Sequence, residues 1–100
     1  MATKKLKALS AVEVRRRLPE LHGWRLSRGA LRCEFQFETF AEALRFVARV
    51  GVLADEADHH PDIDIRYRVV RLALKTHDLG GISDRDFALA ARIDAQSAVR

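Results

Sequence analysis

The sequence predicts an α+β fold: a four-stranded antiparallel sheet with three helices packed on one face, in the order α-β-β-α-β-β-α. Three observations carry this expectation. Apolar and polar residues alternate with period two in two separate stretches, apolar residues recur at helical intervals between and after them, and helix-capping tetrads stand where the period changes. Two hairpin-like strand pairs with helices between and after them suit one antiparallel layer with a single covered face.

Ser10-Ala11-Val12-Glu13 has the spacing of a capping box, so a short helix begins there and ends before Pro19. Trp24-Arg25-Leu26 reads as a short strand, turned by Ser27-Arg28-Gly29 into a longer one. From Leu31 to Glu38, Leu31, Cys33, Phe35 and Phe37 alternate with Arg32, Glu34, Gln36 and Glu38, the pattern of a half-buried strand. Thr39-Phe40-Ala41-Glu42 repeats the capping spacing and opens the longest helix. That helix runs to Asp58 or its neighbours, with Phe40, Leu44, Val47, Val50 and Ala54 as its apolar stripe and Phe46 and Leu53 widening it.

After Pro61 the period returns to two. Ile63, Ile65, Tyr67 and Val69 stand opposite Asp62, Asp64, Arg66 and Arg68, and a further strand from Val70 to Thr76 places Val70, Leu72 and Leu74 on one face. Gly80-Gly81 marks a turn, and Ser83-Asp84-Arg85-Asp86 caps a last helix carrying Phe87, Ala90, Ala91 and Ile93. Residues 1–100 therefore read as one domain, small enough that self-association would help stabilise it.

With 48% hydrophobic and 32% charged residues, the composition is that of a soluble globular protein, and no apolar run is long enough to cross a bilayer. The first residues lack the apolar core of a secretory signal, which gives a cytoplasmic expectation. The single Cys33 excludes an internal disulfide and a cysteine zinc cluster, and its place in the strand alternation assigns it to the core. The net charge of +4 comes partly from Lys4, Lys5, Lys7 and Arg15-Arg16-Arg17, read as a solvated face; nucleic acid is not an expected partner.

The chemistry-bearing residues are His59-His60, followed by Pro61, and His77 after Thr76. Histidine alone has an unperturbed pKa between pH 5 and 8, which suits proton transfer. Asp55 and His59 lie four residues apart and can meet on one helix face, while Pro61 places His60 at the helix-to-strand break. His77 stands where a strand runs into the glycine turn, so a shared pocket for the three imidazoles is expected. Adjacent histidines at a helix end point roughly 100° apart and no i, i+4 pair exists, so no metal is expected. Ser83 and Cys33 occupy capping and core contexts, and no nucleophile-elbow motif exists. General acid–base chemistry and binding without chemistry both remain open. Trp24 and Tyr67 read most simply as rim packing residues, and Asp86 as a partner in the cap of the last helix.

Asp55, His59-His60-Pro61, Tyr67, His77 and Asp86, at their spacing, resemble the signature of the pterin-4a-carbinolamine dehydratase family. Gly23-Trp24, Phe35-Gln36-Phe37, Thr76-His77 and Gly81-Ile82-Ser83-Asp84-Arg85-Asp86 extend the resemblance over most of the chain. It implies the fold reached above and a hydro-lyase acting on 4a-hydroxytetrahydropterin, the product left by an aromatic amino acid hydroxylase, which is thereby an expected pathway partner. It implies no nicotinamide, flavin or metal cofactor, and a homodimer or homotetramer. The roles expected are His60 and His77 as acid and base on opposite sides of the pterin ring, with His59 positioning the ring. Asp55 would orient an imidazole, Asp86 would support His77, and Pro61, Tyr67 and Thr76 would complete the surroundings. Two other functions stay open under the resemblance: action on, or binding of, another pterin such as a molybdenum-cofactor intermediate, and a non-enzymatic role as a dimerisation cofactor of a transcription factor. Asp55 stands where a longer glutamate is common, and Ile63 and Asp64 replace aromatic residues, which bears on ring packing more than on chemistry.

Overall fold

The computed structural model describes residues 6–96, so Lys4 and Lys5 of the basic tail lie outside the described residues. Helices α1 (Ala11–Arg17), α2 (Phe40–Ala57) and α3 (Asp84–Gln96) alternate with strands β1 (Arg25–Ser27), β2 (Ala30–Gln36), β3 (Asp62–Arg66) and β4 (Val69–Leu74). The sheet is antiparallel throughout in the order β1-β2-β4-β3. This is the α+β arrangement that the sequence predicts.

Each boundary has a local cause. The Ser10 hydroxyl accepts from the Glu13 amide while the Glu13 carboxylate accepts from the Ser10 amide, so the capping box at α1 is complete. The chain does not stop helically at Pro19 but tightens into one 3-10 turn over Leu18–Glu20, with proline at its start where no amide is needed. At β1–β2, Ser27 pairs with Ala30, and the two residues between them, Arg28 and Gly29, both take positive φ (50° and 75°), the twist that a two-residue hairpin needs. The second hairpin differs from expectation. Arg66 pairs with Val69, so β3 ends at Arg66 and Tyr67 sits in the turn with φ 54°. Tyr67 is 70% exposed there, because the tight register leaves it outside the ladder.

The core lies on one face of the sheet. Register places Leu31 opposite Leu74, Cys33 opposite Leu72 and Phe35 opposite Val70, and these six side chains pack with Val14, Phe46, Val50, Leu53, Phe87, Ala90 and Ile93 from the helices. The rings of Phe35 and Phe37 lie 4.7 and 5.0 Å from that of Phe46 and fix the rotation of α2. Consequently the apolar stripe of α2 is Ala43, Phe46, Val50, Leu53 and Ala54, whereas Phe40 and Leu44, predicted to face inward, are 48% and 42% exposed. In α3, Leu89 rather than Ala91 joins the buried face. Trp24 is buried at the rim and donates its indole N–H to Asp94 at 2.8 Å.

Phe46 is fully buried and central to the aromatic cluster. Phe46→Ala is expected to lower unfolding free energy by about 3–5 kcal/mol, read as a shift in urea midpoint at unchanged slope.

Candidate active site

Three segments meet beside the C-terminus of α2. The first is the end of the helix itself. Asp58 takes the left-handed conformation (φ 48°, ψ 45°), its amide donating to the Asp55 carbonyl, and the His59 amide reaches back to Ala54 at 3.1 Å. These two bonds form a Schellman termination, which turns the chain sharply and fixes the direction of the next residue. Arg85 of α3 clamps the turn by donating to the Asp58 carbonyl at 2.6 Å. Pro61 follows, so the helix cannot resume.

The second segment leaves β4, which ends at Leu74, two residues earlier than the alternation suggests. Thr76 instead bridges to Gly81, and a 3-10 turn over His77–Leu79 fills the loop between them. The third segment is the first turn of α3, where Ser83 and Asp86 stand.

Asp86 ties the three together. Its carboxylate is fully buried; Oδ1 lies 2.5 Å from His59 Nε2, while Oδ2 accepts from the Thr76 hydroxyl and the Ser83 amide, each at 2.9 Å. The Ser83 hydroxyl donates to the Thr76 hydroxyl at 2.6 Å and accepts from the Arg85 amide. Each buried polar side chain of this network has a partner, the condition under which burial of a carboxylate is tolerated. Since Asp86 accepts, the network assigns the proton of His59 to Nε2 and leaves Nδ1 for a ligand.

This pairing corrects two expectations. Asp86 supports His59 and not His77, because the loop of residues 77–80 carries His77 outward while Thr76 alone turns back to the carboxylate. Asp55 pairs with His60, Nε2 to Oδ1 at 2.9 Å, and not with His59, because the Schellman turn directs His59 inward to Asp86. The Asp55–His60 pair is exposed on both sides. Tyr67 has no part here; its exposed ring lies against Arg68 at the far hairpin.

The resulting cleft, about 400 Å³ and open to solvent, is lined by Asp58, His59, His60, Pro61, Asp62, Thr76, His77, Asp78 and Arg85. All three predicted histidines border it. His59 presents one edge from a buried position, while His60 and His77 are exposed. Sequence reasoning missed Arg85 and Asp62, whose places on the cleft wall follow from the helix termination and the start of β3. A larger concavity of about 670 Å³ between β2 and α2 is lined by Arg45, Arg49, Arg68, Glu38 and Glu42 and contains no histidine. Among the described residues, no group of three or more histidine, cysteine, aspartate or glutamate side chains is placed to hold a metal ion.

The topology, with paired histidines at a helix end, a third on the facing loop and a buried carboxylate behind one of them, agrees with the resemblance to the pterin-4a-carbinolamine dehydratases. The family model described as pterin 4 alpha carbinolamine dehydratase matches residues 7–96, and the chain belongs to that family. It is 49% identical over 86 residues to a Roseiflexus castenholzii protein provisionally named pterin-4-alpha-carbinolamine dehydratase, covering 86% of this chain and 92% of the relative. A similarly named protein of Mycolicibacterium smegmatis is 48% identical over 86 residues, again with 86% and 92% coverage. Among solved structures, one described as a transcriptional coactivator/pterin dehydratase from Brucella melitensis superposes with a TM-score of 0.84 at 30% identity, covering 89% of this chain and 97% of that one. Another, a pterin dehydratase-like protein identified as a RuBisCO assembly factor in the alpha-carboxysome, gives a TM-score of 0.65 at 28% identity over 79% and 94% of the two chains.

Asp86→Ala leaves the His59 ring, the Thr76 hydroxyl and the Ser83 amide buried with a lost acceptor, and is expected to cost about 3–5 kcal/mol of stability. Asp55→Ala, at an exposed pair, is expected to change stability by less than about 1 kcal/mol. Parallel urea melts of the two variants check both.

Proposed function

We propose that this protein is a hydro-lyase that dehydrates a 4a-hydroxytetrahydropterin to the quinonoid dihydropterin. The observation that carries the reading is the His59–Asp86 pair at the wall of a cleft that also holds His60 and His77. The reaction breaks the C4a–O bond, releases the hydroxyl as water after it gains a proton, removes the proton on N5 and forms the C4a–N5 double bond. No electrons are transferred. It therefore needs one proton donor and one proton acceptor, held on a bound ring.

The buried carboxylate behind His59 holds that ring in one orientation and one tautomer, with Nδ1 left to accept a proton. His59 is thus the better-supported proton-transfer group, where the resemblance implies a chiefly positioning role. His77, exposed on the facing loop, is the partner of opposite function, acid when His59 is base and the reverse. His60, held by Asp55 at the cleft rim, positions the substrate. The product is the species a reductase consumes in recycling a pterin for aromatic amino acid hydroxylases, which makes such a hydroxylase the expected upstream partner.

Stopped-flow absorbance of freshly generated 4a-hydroxytetrahydropterin tests this. Acceleration over buffer by the native protein is expected, reduced by roughly 10²- to 10⁴-fold in His59→Ala and in His77→Ala. Absence of acceleration by the native protein would sink the enzyme reading.

Self-association is a second part of the proposal, supported by the large apolar side chains on the outer face of α2. Phe46 and Leu53, which widen the apolar stripe predicted from sequence, are in the core. Phe40, Leu44 and Val52 are the exposed ones, at 48%, 42% and 58%. Leu44→Glu with Val52→Glu is expected to lower the oligomeric mass in sedimentation equilibrium without loss of helix content; an unchanged mass would argue against this face.

A further inference from the structure

The sheet face away from the helices carries a second hollow, of about 220 Å³, beside the histidine cleft. Register places Asp62, Ala73, Arg32 and Arg25 in one row across β3, β4, β2 and β1. Three strand spacings make that row about 14 Å long. Asp62 lines both the hollow and the histidine cleft, so the two adjoin at that residue. In the middle of the row Ala73 has only a methyl group, which leaves the floor low between the acidic end and the arginine end.

The charges around the hollow are unevenly matched. Arg71 bonds Glu34 at 2.9 Å and lies 3.7 Å from Asp64, and Arg66, outside the hollow, bonds Asp64 at 3.0 Å, so the carboxylates of Glu34 and Asp64 are both paired. Arg25, Arg28 and Arg32 also line the hollow and form no ion pair among the described residues. Arg32 donates only its Nε, to the Ser27 carbonyl at 2.9 Å, which holds the guanidinium while leaving its terminal nitrogens unused. Arg28 is presented by the tight β1–β2 turn. The hollow is lined by Arg25, Arg28, Arg32 and Arg71 against Glu34, Asp62 and Asp64, and the three arginines outside the ion pairs give its β1–β2 end an excess of guanidinium groups, whose planar fork suits phosphate and carboxylate oxygens.

Resting on the reading of the histidine cleft as a pterin site, we propose that this hollow takes the anionic end of the pterin's C6 side chain. The substrate is then a pterin whose side chain carries a phosphate ester or carboxylates, with the ring among the histidines and the chain crossing Ala73 toward Arg32. The neutral dihydroxypropyl chain of a biopterin leaves the arginines unused.

The test compares three 4a-carbinolamines on the full-length protein: one with a neutral dihydroxypropyl chain, one with a phosphate-ended polyhydroxylated chain, and one with the glutamate-ended chain of a folate. A KM for one charged substrate lower than that for the neutral one by roughly tenfold or more supports the proposal and identifies which anion is meant. In the Arg25→Gln/Arg28→Gln/Arg32→Gln variant this advantage is expected to vanish, with kcat and the neutral substrate's KM unchanged. Equal KM values for all three substrates on the native protein would overturn the inference and leave the dehydratase reading intact. Failure to dehydrate any of them would overturn both. An advantage that survives in the variant would also overturn it, since the arginines would then not be its source.

Discussion

The buried carboxylate of Asp86 holds the site together by accepting from three separate segments: an imidazole at the end of α2, a hydroxyl after β4 and the amide that opens α3. A carboxylate out of water is tolerated only when such donors replace its hydration. The requirement works in both directions. The segments must close on Asp86 to satisfy it, and once closed they hold His59 in one tautomer and orientation. Capping of α3 and orientation of His59 are therefore two uses of one side chain.

A second constraint is the Schellman turn at Asp58. Without a left-handed residue there, the chain would continue as helix and His59 would lie on its surface. The turn and the clamp from Arg85 instead direct consecutive histidines to different surroundings, His59 to the buried network and His60 to the exposed rim beside Asp55. Two adjacent, chemically identical residues thus acquire different capacities from backbone geometry alone.

The helical face of the sheet is apolar and fills the core, while the other face holds a ladder of charges with an alanine gap next to the cleft. The cleft opens after the end of β4 and at the start of β3, where Asp62 borders both it and the polar sheet face. On the proposed reading, ring recognition and side-chain recognition fall to different parts of one surface, the first to loops and a helix end, the second to strands.

Period two in β2 and β4, the capping box at Ser10, the N-cap at Thr39, and the residues His59-His60-Pro61, His77 and Asp86 were legible from sequence, because side-chain periodicity and local hydrogen bonding depend on near neighbours. The family followed from the spacing of those residues. What needed tertiary structure was every choice between partners at comparable separations. Asp55 is four residues from His59 and five from His60, and only the left-handed turn decides for His60. Asp86 is nine residues from His77 and twenty-seven from His59, yet it meets the more distant one, because β4 and α3 bring the loop past His77 and back. The rotation of α2 was likewise set by the rings of Phe35 and Phe37, so Phe46 went inside and Phe40 and Leu44 outside. Local chemistry determines which elements form; which side chains meet between them depends on register, helix rotation and turn geometry, where contacts distant in sequence outweigh near ones.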